Sequence, residues 1–92
     1  MDNTDLCYTS ANDLAPRIAN GDLSPVELMQ TVIARFETLN PNLNAICTAT
    51  LEQAMDAARA AETAVSAGQP LGPLHGIPVT IKDLFFTRGV RT

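Results

Sequence analysis

GPLHGIPVTIKDLFFTRGVRT, residues 72–92, decides how the rest of the chain is read. Gly72, Pro73, Gly76 and Pro78 make an irregular approach that is stiff in φ at the prolines and permissive at the glycines. An apolar run over 77–81 follows and leads straight into Lys82. Apolar residues, two of them isoleucine and one valine, at that length predict a short strand over 77–82. Pro78 has no backbone N–H, so it belongs at the entry of that strand or on an edge.

Lys82 poses a chemical question. A lysine taken out of water by apolar neighbours loses part of its preference for the charged form and can then serve as a base or proton shuttle. Ile81 before it, and Leu84, Phe85 and Phe86 after it, are compatible with such burial. The plain alternative is a solvated lysine at a strand end, or one paired with Asp83. Adjacent strand residues point to opposite faces, so Asp83 need not touch Lys82.

Working back from this segment, residues 68–76 form a Gly/Pro-rich connector. Before it, residues 50–67 predict a helix. Thr50 stands at its cap with Gln53 at the third position, and Gly68 ends it. Its alanines favour helix and permit a neighbour to approach closely. NAICT at 44–48 predicts a short strand, with Cys47 inside it.

The helix over 24–40 carries the clearest signals. Ser24 is the cap, Pro25 the first helical residue, and Glu27 completes a capping box. Leu23 and Leu28 can staple across the cap, and Leu28, Met29, Val32, Ile33, Phe36 and Leu39 make an inward stripe. Asn40 before Pro41 marks its end. A shorter helix falls at 10–20, with Leu14 and Ile18 on one face and Asn20-Gly21 as its stop. It starts at Ser10 or, if Pro16 is to fall in the first turn, at Asp13.

Composition bounds the function. The chain has 92 residues, 46% hydrophobic and 17% charged, which is a globular composition sufficient for one small core. A net charge of −4 disfavours direct nucleic-acid binding. No apolar run reaches bilayer length, and the acidic, polar start is not a signal peptide, so the cytoplasm is the expected location. Cys7 and Cys47 have no metal spacing and read as small buried or part-buried residues. His75, the single histidine, reads as a turn residue with a local hydrogen bond.

Two short strands separated by a helix leave edges unpaired. The expected class is therefore α/β, incomplete as an independent sheet, with residues 1–92 the N-terminal portion of a larger domain.

The motif string resembles the amidase signature family. There a G-P-L-H-G-I-P turn feeds a strand ending in Lys-Asp, as residues 72–83 do here. GDLSPVEL at 21–28, Asn44-Ala45 and the alanine-rich helix also agree, so the resemblance runs from about Ser10 to Thr92. It implies the mixed-sheet fold of that family and hydrolysis of carboxylic amides by a Ser–cis-Ser–Lys triad. Lys82 matches the lysine, which receives the proton of the nucleophilic serine through the bridging serine. An acyl-enzyme forms, the amine leaves, and water releases the acid. Backbone N–H groups would hold the oxyanion. Gly76 and Pro78 would shape the approach to Lys82, Gly72 and Pro73 the turn before it, and Asp83 would orient backbone.

No metal or organic cofactor is implied, and the partner of the complete enzyme is a small-molecule amide. The family's Gly/Ser-rich segment is absent. Ser24 reads as a cap, Ser66 lies near a helix end, and Ser10 does not substitute either. The 92-residue chain alone is therefore expected to be inactive. Two other identities stay open: the amidase component of a tRNA-dependent amidotransferase, and a non-catalytic helical fragment that self-associates through exposed apolar surface.

Overall fold

Four helices carry the architecture of the computed structural model, which describes residues 3–92. They are α1 (Asn3–Cys7), α2 (Ala11–Ala19), α3 (Pro25–Leu43) and α4 (Leu51–Ser66). α3 is the spine, packing against α1 and α4. Leu6, Leu14, Ile18, Leu23 and Leu28 form one buried cluster, with Val32, Val65 and Ile77 packed against it. Leu23 and Leu28, on either side of the α3 cap, are thus both in the core, as a hydrophobic staple requires.

Local chemistry fixes the helix ends. α2 starts at Ser10, whose Oγ accepts from the Asp13 N–H at 3.3 Å. Pro16 consequently lies inside the helix. α2 closes in a Schellman motif: Gly21 and Asp22 donate to the Ile18 and Arg17 carbonyls at 3.1 and 2.9 Å. The same motif ends α4, where Gly68 and Gln69 donate to Val65 and Ala64, both at 3.1 Å. At the start of α3 the Ser24 Oγ accepts from Val26 at 3.0 Å, one position earlier than the capping-box geometry expects. The same hydroxyl donates to the Glu62 carboxylate and so ties the α3 start to α4. Thr50 occupies the cap position of α4 but makes no side-chain capping bond.

Several expectations are corrected. α3 runs through Pro41 to Leu43, because a proline in the last turn costs little once Asn44 caps the helix at φ 51°. Residues 44–48 form no strand. Asn40 instead accepts from the Ile46 N–H at 2.9 Å and donates to its carbonyl at 3.2 Å. One side-chain amide thereby satisfies the groups a neighbouring strand would have paired. Cys47 is exposed rather than buried, and Cys7 is part-buried. Residues 77–82 also lack a ladder partner; the one β-bridge among the described residues joins Thr87 to Val90.

Candidate functional site

The segment that carries Lys82 begins in two linked β-turns. His75 donates to the Gly72 carbonyl at 3.2 Å, with Pro73 in the second position of that turn, where its fixed φ fits. Ile77 then donates to the Leu74 carbonyl at 3.1 Å. Gly76 holds the third position of this second turn at φ 80°, the value a type II turn demands and an L side chain resists. A Cβ on Gly76 would also sit 3.1 Å from both Ile18 Cγ2 and Pro25 Cγ. The glycine is thus fixed twice, by backbone angle and by close approach to the α2–α3 junction.

His75 anchors the turns from the other side. Its Nε2 lies 2.9 Å from the Ala61 carbonyl on α4. A carbonyl only accepts, so this nitrogen carries the proton. This side-chain bond is long-range and adds to the local turn bond that the His75 N–H makes to Gly72, as expected from the sequence. Gly72, Pro73, Gly76 and Pro78 are therefore brought together as a rigid approach whose direction is set by α2, α3 and α4.

Beyond Pro78 the chain leaves the core. Lys82 and Asp83 are both exposed, and they form no ion pair with each other. Of the two readings the sequence leaves open, Lys82 takes the solvated one in this chain, without pairing to Asp83. Its apolar neighbours are themselves in water: Val79, Ile81, Leu84 and Phe85 are each at least 60% exposed, and Phe86 is 91% exposed. The Lys82 carbonyl accepts from Phe85 at 3.1 Å, so the chain turns immediately after the lysine. A second turn follows at Thr87–Val90, with Gly89 at φ 77°.

The three serines are engaged elsewhere. Ser10 and Ser24 cap helices, and Ser66 is the last residue of α4. Among the described residues no three His, Cys, Asp or Glu side chains are grouped to hold a metal ion. None of the described helices is long and apolar enough to cross a membrane.

A separate groove of about 310 Å³ lies between α1, α3 and the segment after α3, lined by Cys7, Phe36, Leu39, Leu43 and Ile46 among others. Arg35 stands on its wall, donates to the Tyr8 hydroxyl at 3.0 Å and stacks over that ring at 5.5 Å. The sequence gives no hint of this pair, because two residues 27 positions apart leave no periodic signal. No residue of 72–92 lines the groove, so it is distinct from the lysine segment.

Comparison with known proteins places these features. A family model described as Amidase matches residues 27–92, which include the double turn and Lys82. The chain is 43% identical over 81 residues to a glutamyl-tRNA(Gln) amidotransferase subunit of Geobacter metallireducens, covering 88% of this chain and 16% of that protein. The protein of the same name from Salinispora tropica is 42% identical over 89 residues, 97% of this chain and 18% of the relative. An acylamidase of Rhodococcus erythropolis is 39% identical over all 92 residues, 19% of its length. The chain therefore spans less than a fifth of the length of these relatives. No solved structure matches.

Proposed function

The chain belongs to the amidase family, and from that premise we propose that it supplies the lysine of a Ser–cis-Ser–Lys relay to an enzyme that hydrolyses carboxylic amides. The observation that carries this reading is the family match over residues 27–92, which include the double turn leading to Lys82. In the working enzyme Lys82 takes the nucleophilic serine's proton through the bridging serine and returns it to the departing amine. The serine attacks the amide carbon, the C–N bond breaks, and water hydrolyses the acyl-enzyme. Oriented backbone N–H groups stabilise the oxyanion.

The rest of the domain has a defined task in this account. It pairs residues 77–82 into a mixed α/β sheet, and it covers the apolar side chains beside Lys82. That removal from water is what favours a lysine acting as base. The 92-residue chain alone, with its three serines at helix ends, hydrolyses no amide. The site of action is the cytoplasm, and the substrate is a small-molecule amide.

The relatives' names favour a second reading of the same chemistry. Two of the three relatives described above are named as subunits of a glutamyl-tRNA(Gln) amidotransferase. In that reading the amide is glutamine, the product ammonia, and partner proteins are required. A third reading, self-association of the 92-residue chain without catalysis, is favoured by the exposed apolar side chains of residues 74–86.

A chimera tests the catalytic reading. Residues 1–92 would replace the matching N-terminal part of the Rhodococcus erythropolis acylamidase. Release of amine from simple acyl amides is the expected result. A folded chimera that hydrolyses none of them would contradict the catalytic proposal.

A further inference from the structure

We infer that His75 is a positioning residue for Lys82: its Nε2–H bond to the Ala61 carbonyl closes a three-body clamp that fixes where the lysine strand starts. This deepens the catalytic reading above and rests on it.

Three contacts close the clamp. The Ser24 hydroxyl donates to the Glu62 carboxylate and ties the start of α3 to α4. One residue before Glu62, the Ala61 carbonyl accepts from His75 at 2.9 Å and ties α4 to the double turn. One residue after Ser24, Pro25 lies against Gly76, where an added Cβ would meet its Cγ at 3.1 Å, and ties the double turn to α3. Each body therefore uses two consecutive residues: Ser24 and Pro25, Ala61 and Glu62, His75 and Gly76. Three bodies joined pairwise in a closed ring cannot hinge at one joint without breaking another.

His75 supplies the directional joint. The packing at Gly76 and Ile77 is apolar and tolerates small rotations, whereas a hydrogen bond weakens steeply as its angle closes. Among the described residues, no other hydrogen bond joins residues 72–78 to a helix. The sequence of α4 makes the approach possible. It carries alanine at 57, 58, 61 and 64, and Ala58 is buried, so no large side chain at these positions keeps the imidazole from the helix backbone.

The effect at Lys82 is one of leverage. Pro78 has no N–H, so a sheet finds no donor at the first residue of the lysine strand, and the double turn must set its entry. From Ile77 to Lys82 an extended chain runs about 16 Å. A tilt of about 5° at Ile77 then carries the lysine about 1.4 Å, and a misplacement of about 1 Å can cost on the order of a hundredfold in rate.

The test has two arms. In the 92-residue chain, hydrogen exchange is read at the Ile77 amide, which donates to Leu74 inside the double turn. His75→Ala should speed it at least about fivefold, and His75→Gln, whose side-chain amide offers a donor at similar reach, should stay within about twofold. In the acylamidase chimera, His75→Ala should lower kcat by about 10- to 100-fold with KM within about threefold, and His75→Gln should recover most of the rate. On the residual rate of a Lys82→Ala background, the same His75→Ala change should cost nothing further, because it acts through the lysine. Unchanged Ile77 exchange in His75→Ala would overturn the clamp. Full kcat in His75→Ala, or the same loss with and without Lys82, would overturn the positioning role alone. Full activity in Lys82→Ala itself would overturn the relay, and the positioning role with it.

Discussion

At Gly76 the backbone takes φ 80° with Ile18 and Pro25 side chains against it, so one residue governs how the lysine segment leaves the helices. Gly76→Ala should destabilise the chain by about 1–3 kcal/mol, from left-handed strain and the contacts a methyl would force. Gly72→Ala is the control. Gly72 has no positive φ and nothing within 4 Å of an added Cβ, so the change should stay within about 0.5 kcal/mol. Urea unfolding of both variants measures the difference. Lys82→Ala should likewise leave unfolding within about 0.5 kcal/mol, because the side chain is exposed and unpaired with Asp83.

Among the elements, the helix termini hold the packing together. Ser24 accepts from Val26 and donates to Glu62, so it serves the α3 cap and the α3–α4 contact at once. Ser24→Ala should cost about 1–2 kcal/mol in urea unfolding. A double-mutant cycle with Glu62→Gln should show coupling, while two independent losses would refute the dual role. Asn40→Ala should release the segment after α3 by removing both bonds to Ile46. Faster hydrogen exchange at the Ile46 amide is the expected sign.

These ends also show what a sequence can reveal. Ser24-Pro25 before an apolar stripe, and glycines after the last apolar positions of α2 and α4, are local signals with local causes, so they can be read directly. α1 is too short for periodicity, yet its Leu6 is among the most buried side chains. The extent of α3 past Pro41 depended on an αL cap at Asn44 that no periodicity announces. Residues 44–48 and 77–82 have strand composition, but a strand exists only by pairing, and composition does not name the partner. At the lysine segment, the turn chemistry of Gly72, Pro73 and Gly76 was legible. The His75–Ala61 bond was not, because it spans 14 residues.

For the whole molecule, the Cα radius of gyration of 13.7 Å exceeds the roughly 12 Å of a compact domain this long. The excess fits a small helical core with residues 79–92 lying outside it. Helices α2, α3 and α4 position the double turn, and the double turn projects Lys82 into an apolar segment left uncovered in this chain. That layout separates stability from chemistry: the helices hold the fold, while the lysine adds nothing to it. The most direct measurement is the amide-hydrolysis rate of the acylamidase chimera with Lys82→Ala and Lys82→Arg. Both should lose at least about a hundredfold, since neither alanine nor an always-charged guanidinium can accept the relayed proton. Hydrolysis within a few-fold of the parent chimera in both variants would contradict the assignment of Lys82.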